Sequence, residues 1–208
     1  MITLYRVCPF ESPNILARFR GRKEEMIDLC LNSFLKAGAE KIIFLVDSMS
    51  LEKFKKYGEV IDCTGLGNVG TFHKQIEIGK RLDKVFLCED DYLWRPNTFP
   101  LLKRAVEEFD FVSPYDHPSH YLEDRFDKHY EMKMIDNIVY REAPSNTLTF
   151  ATKKLPEVWV KMVSFGIADH PMFQSLREDG YRIWNPTYSF ATHLAEGLLA
   201  PNVEWVFD

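Results

Sequence analysis

Three adjacent carboxylates, Glu89, Asp90 and Asp91, follow directly on the apolar run Val85-Phe86-Leu87-Cys88. Side by side they repel one another, and burying them costs more still unless a cation compensates. Carboxylate oxygens suit hard cations such as Mg²⁺ or Mn²⁺, which bridge to the phosphates of a substrate. The bland alternative is a solvated acidic turn in which Asp90 or Asp91 caps nearby backbone. The greasy strand ahead of the cluster favours the metal, because ligands of open α/β sheets gather at the carboxyl ends of strands.

Upstream lies Gly65-Leu66-Gly67-Asn68-Val69-Gly70, which has the spacing G-x-G-x-x-G. A dinucleotide fingerprint of this kind needs an acidic residue about 20 positions on, closing the second strand of its unit. Here that distance delivers the acidic triplet, and the glycines follow the third strand rather than the first. A tight turn opening a close-packed helix, able to shape a nucleotide pocket, accounts for the motif better.

These groups need a scaffold, and hydrophobic periodicity supplies one. Strands are expected at Thr3 to Cys8, Lys41 to Val46, Glu59 to Cys63, Val85 to Cys88 and Phe111 to Ser113. Helices are expected at Lys23 to Lys36, with Gly38 as its cap, at Leu51 to Tyr57, after the glycine turn, and at Thr98 to Phe109. Alternation of this kind predicts a mostly parallel central sheet flanked by helices in a single α/β domain. Residues 1–113 carry this alternation, and residues 114–208 form a second half of different character. In the second half, 114–137 reads as a polar, aromatic-rich loop. Strands at Ile138 to Arg141, Asn146 to Thr152, Tyr181 to Trp184 and Tyr188 to Thr192 follow, with helices at Pro156 to Phe165 and Pro171 to Asp179.

Bulk properties narrow the function. The 208 residues carry 26 Lys and Arg against 31 Asp and Glu, a formal charge of −5, which argues against nucleic acid as a partner. No apolar run approaches the roughly 18 residues of a transmembrane segment, and the first residues lack a signal-peptide pattern. Cys8, Cys30, Cys63 and Cys88 show no zinc spacing and read as thiols in a reducing compartment. A cytoplasmic protein is expected.

Together these pieces resemble the GT-A glycosyltransferases, in particular the inverting family 2-like group, over most of the chain. Asp47-Ser48 after the second strand is similar to that family's short acidic nucleotide motif. Asn68-x-Gly70 followed by Lys74 is similar to its N-x-G turn and basic position. Glu89-Asp90-Asp91 resembles its D-x-D motif with Glu first. Ala168-Asp169-His170, then Gly180-Tyr181-Arg182-Ile183, resembles its E-D segment and following strand, although Ala168 stands where Glu is common. Asn185-Pro186 and His193 resemble the closing strand, from which some members give a histidine to the metal. The compact length is similar to the small GT-A type of a crenarchaeal virus.

The resemblance implies a donor nucleotide-diphosphate sugar and Mn²⁺ or Mg²⁺ held by Asp91, with Glu89 and His193 as further ligands. Asp47, Asn68, Lys74, Glu89 and Asp90 would contact the donor. Asp169 would be the general base of an inverting transfer to a glycan, protein or lipid acceptor. Each residue also has a plainer reading. Asp169 could merely start a helix, Asp47 could form a turn, and His193 could be an ordinary strand-end histidine. Arg18, Arg20 and Arg22 could neutralise phosphate or simply be solvated. His117, His120, Glu123 and Asp124 look only superficially like a second metal set. Tyr115, Tyr121 and Tyr130 could stack on sugars or be bland loop tyrosines. A nucleotidyltransferase of similar fold is the nearest rival, but Pro9-Phe10-Glu11-Ser12-Pro13 lacks the glycines its phosphate loop needs. A noncatalytic nucleotide-sugar-binding protein is the other alternative.

Overall fold

The strands are built from residues that alternate between two apolar faces. In β1 (Ile2–Val7), Tyr5 and Val7 point to one side and Leu4 to the other. In β4 (Val85–Cys88), Phe86 and Cys88 join the first side while Val85 and Leu87 join the second. A strand covered on both faces reads as a continuous apolar run, which is why these strands are visible in the sequence.

The computed structural model describes residues 1–122, 130–144 and 147–207. It is a single α/β domain around a nine-stranded sheet of order β3-β2-β1-β4-β9-β6-β10-β8-β7. Here β2 is Ile42–Val46, β3 Glu59–Asp62, β6 Phe111–Val112, β7 Met132–Ile135, β8 Ile138–Ala143, β9 Phe150–Thr152 and β10 Ile183–Pro186. The β1–β2, β1–β4, β2–β3 and β6–β10 pairs are parallel; β9 runs antiparallel to both β4 and β6. A separate two-stranded ribbon joins β5 (Tyr92–Trp94) to β11 (Ala191–His193).

Helices cover both faces. Helix α1 (Lys23–Lys36) turns Ile27, Leu31 and Phe34 onto one side of the sheet, where α4 (Phe99–Glu108) also packs. Phe34 touches the rings of Tyr5, Phe86, Trp94 and Phe99 at 4.9–5.9 Å between centroids. On the other side lie α3 (Gly67–Gly79), α5 (Leu155–Phe165) and α6 (Asp169–Glu178), contributing Phe72, Ile76, Met162 and Phe173. At Gly79 a Cβ would come within 2.6 Å of Leu155 Cδ2, so a larger residue there would force the Leu155 side chain to shift where α3 meets α5. The short α2 (Glu52–Lys55) completes the set.

Several boundaries differ from expectation. The stretch 114–137 is not a loop throughout: β7 lies within it and pairs with β8. The pairing turns on Asp136 and Asn137, both at positive φ (49° and 63°), the geometry of a two-residue hairpin turn. Met132 and Met134 are exposed on β7, so the strand carries little of the burial signal that marks the others. The expected strand at Asn146 to Thr152 is realised as β9, with Asn146 itself outside the described residues. Strand β5 follows the acidic triplet at once and lies outside the expected set of strands. Among the described residues no helix is long and apolar enough to cross a membrane.

Candidate active site

The carboxyl ends of β1 and β4 are neighbours, since Tyr5 pairs with Cys88. Each strand therefore delivers its next residues to the same edge. Beside them open the amino ends of α1 and α3. A cleft of about 830 Å³, its open mouth included, lies between these elements, lined among others by Arg6, Cys8, Asn68, Thr71, Glu89 and Asp91. About 290 Å³ of it is cavity proper, at the lower end of the usual range of small-molecule sites.

The three carboxylates have three different environments. Asp90 is buried, accepting from Lys23 Nζ at 2.7 Å and from the Cys8 backbone N–H at 2.9 Å. It ties α1 and the exit of β1 to the triplet. Burial pushes its carboxyl up, opposed by Lys23. Glu89 accepts from Arg6 Nη2 at 2.6 Å and faces Thr149 Oγ1 at 3.4 Å. Burial pushes its carboxyl up to about 7, against Arg6 and with Asp91. Asp91 meets His193 Nε2 at 3.1 Å through Oδ2, while its Oδ1 is buried with no hydrogen-bond partner. Against the effect of burial, His193, Lys23 and Arg6 hold the Asp91 carboxyl below the usual range. His193 is raised in return, Asp91 overcoming the opposing effect of burial. The imidazole is stacked on Tyr92 at 5.0 Å between centroids, and its Nδ1 also lacks a partner.

Two buried cations, Arg6 and Lys23, thus compensate two of the three carboxylates. The sequence offers Arg18, Arg20 and Arg22 only as groups that could neutralise phosphate. Arg18 lies over the rings of Phe19 and Phe207, and Arg22 pairs with Glu25 on the surface. A charged residue inside the apolar run of β1 was the available signal for Arg6: such a side chain must find a partner. Nothing local marks Lys23, which begins α1.

The glycine turn is organised by Asp47. Its carboxylate accepts from the backbone N–H of Gly65 and of Gly67, both at 2.8 Å, and from Ser48 Oγ at 2.8 Å. Asp47 therefore lies under the turn and is not part of the cleft lining. Asn68 does line the cleft, held by Arg6 Nη1 through both its backbone and side-chain oxygens at 3.0 and 2.5 Å. Lys74 lies elsewhere: it pairs with Glu77 at 2.8 Å and lines a shallow groove between α3 and α5. Asp169 begins α6 and accepts from the His170 N–H at 2.7 Å. Its carboxyl is pushed up by burial, and its charge acts on both Glu89 and His193.

The expected metal ligands do not all converge. Glu89 is turned to Arg6, and among the described residues no three His, Cys, Asp or Glu side chains form a metal-holding group. The three-ligand set Glu89, Asp91 and His193 is therefore not preformed. What fits a cation is the bare oxygen of Asp91 beside His193, because Mg²⁺ is commonly held by one or two carboxylates plus substrate phosphates. Glu123 and Asp124 lie outside the described residues. His120 turns its Nδ1 to Asp116 Oδ1 at 2.9 Å.

No protein-family model and no curated protein matches the sequence. Solved structures do. A197 from STIV aligns over 99% of this chain and 97% of its own, with 14% identity and a TM-score of 0.51. The bifunctional IspDF from Campylobacter jejuni aligns over 88% of this chain but 48% of its own, with 14% identity and a TM-score of 0.51. The glycosyltransferase GlyE of Streptococcus pneumoniae aligns over 88% of this chain and 44% of its own, with 14% identity and a TM-score of 0.48, too remote to argue from. At these identities the likeness concerns architecture, and the architecture is a GT-A-like α/β fold.

Proposed function

We propose that this protein is a glycosyltransferase that moves a sugar from a nucleotide-diphosphate donor to an acceptor hydroxyl, with Mn²⁺ or Mg²⁺ and inversion at the anomeric carbon. One observation carries the reading: Asp91 lines the cleft and keeps a buried carboxylate oxygen without a donor, while its two neighbours are paired with basic residues. A buried oxygen left bare is costly unless something binds it. Asp91, backed by His193, would hold the cation. When bound, the cation would neutralise charge on the departing nucleoside diphosphate.

The remaining steps belong to the chain. Arg6 keeps Asn68 and Glu89 in fixed positions on the donor side of the cleft. Lys23 and the Cys8 N–H lock Asp90, so that Asp91 stays where β4 ends. Asp169 takes the proton of the acceptor hydroxyl on its carboxylate as that oxygen attacks the anomeric carbon. Glu89 is engaged by Arg6, which leaves Asp169 as a single base and favours inversion. Four free thiols, three of them buried, suit a reducing cytoplasm.

Incubation with UDP- and GDP-sugars plus Mn²⁺ tests the reading through release of nucleoside diphosphate. Release that needs both the metal and Asp91 supports transfer. Pyrophosphate release from a nucleoside triphosphate would point to a nucleotidyltransferase. Tight donor binding with no turnover would point to a noncatalytic binding protein.

A further inference from the structure

The second half of the molecule contains an exposed aromatic ring held as firmly as a buried one. Tyr121 ends a short 3-10 turn (Pro118–Tyr121) and is 44% exposed. Its hydroxyl donates to Asp116 Oδ2 at 2.5 Å and accepts from Asn202 Nδ2 at 2.6 Å. The Arg141 guanidinium lies against the ring, 4.8 Å from its centroid. Arg141 is itself bound to Asp116, and so are His120 and Asn185, the latter at 2.7 Å. Asp116 is only 1% exposed, so a buried carboxylate is spent on fixing a ring that remains half in water. A solvated tyrosine with no task needs no such anchoring, whereas a rigid one loses less entropy on binding a ligand.

The ring stands on the catalytic edge. The segment holding it follows the carboxyl end of β6, and Tyr115 in that segment touches both His193 and His117, at 6.5 and 5.6 Å between ring centroids. Aromatic faces surrounded by hydrogen-bonding groups suit a pyranose ring, whose C–H face is apolar and whose rim is polar. We propose that Tyr121 is a stacking platform for a sugar ring on the acceptor side of the cleft, which makes the acceptor a carbohydrate. The assignment of the sugar as acceptor rests on the transferase reading above; the platform itself does not.

Maltotriose, cellotriose, mannotriose and chitotriose, titrated separately and followed by saturation-transfer NMR, test the platform. At least one should bind the wild-type protein. Tyr121→Ala should weaken that binding at least about fivefold, as expected for loss of an aromatic contact. Tyr121→Phe should keep the ring but lose the hydroxyl anchor and fall between the two. Binding of Mn²⁺ with UDP or GDP, measured on the same samples, should be unchanged by either substitution and serves as the check on folding. The platform is overturned if none of the four trisaccharides binds the wild type, or if Tyr121→Ala binds as well as wild type. Trisaccharide binding through Tyr121 without nucleotide binding would leave the platform standing and remove the transferase reading. Nucleotide binding without any trisaccharide would do the reverse and direct the search to a protein or lipid acceptor.

Discussion

Asp91 and Asp116 stand on the same edge of the sheet, one after β4 and the other at the exit of β6. Both are acids set among basic and aromatic neighbours. Asp116 is saturated: His120, Tyr121, Arg141 and Asn185 all bond its carboxylate. Asp91 has His193 on one oxygen and nothing on the other. A fully satisfied buried acid orders its surroundings, and removing it leaves its cation stranded. A half-satisfied acid on a cleft wall has valence left for a ligand. The same residue type thus acts as a strut in one place and as a binding group in the other.

Substitutions can break this contrast, and the largest expected effect lies with the base. Asp169→Asn should lower turnover by about 100- to 10,000-fold, the range of a lost general base, while donor binding survives. Retention of most activity in steady-state assays would remove Asp169 from its role. Asp116→Ala should cost about 3–5 kcal/mol in urea denaturation, because Arg141 then loses its buried counter-ion. A loss below about 1 kcal/mol would mean that Asp116 is no strut. His193→Gln should weaken Mn²⁺ binding in the presence of nucleotide about tenfold, as for other groups that orient a metal-binding carboxylate. Calorimetry with unchanged Mn²⁺ affinity would show that the imidazole only packs on Tyr92. Lys74→Ala should change donor affinity less than about twofold, since its partly exposed pair with Glu77 lies outside the cleft. A tenfold weakening would restore it to the donor site.

Legibility in the sequence followed burial. Helix α1 and strand β4 fall where periodicity puts them, because their apolar residues repeat at the spacing of one covered face or of two. Strand β7 escaped because Met132 and Met134 face outward, although Asp136-Asn137 between two apolar runs is a hairpin signal. In the site, the triplet was visible as a run of like charge after an apolar strand. Its compensation was not, because Arg6 and Lys23 lie 83 and 67 positions from the acids they pair with. Spacing along the chain could not show that two of three repelling carboxylates already have cations. The Asp116 network was hidden for the same reason: its donors come from the 3-10 turn, β8 and β10, which meet only in the folded sheet.

That redistribution of charge places the account on a single oxygen. Calorimetric titration of a UDP- or GDP-sugar, with and without Mn²⁺, into wild-type protein and Asp91→Asn measures it directly. The wild type should bind at least one donor at least about tenfold more tightly with the metal, and Asp91→Asn should lose that gain while binding in metal-free buffer changes little. Equal affinities with and without metal in the wild type, or an undiminished gain in the variant, would contradict the assignment of Asp91.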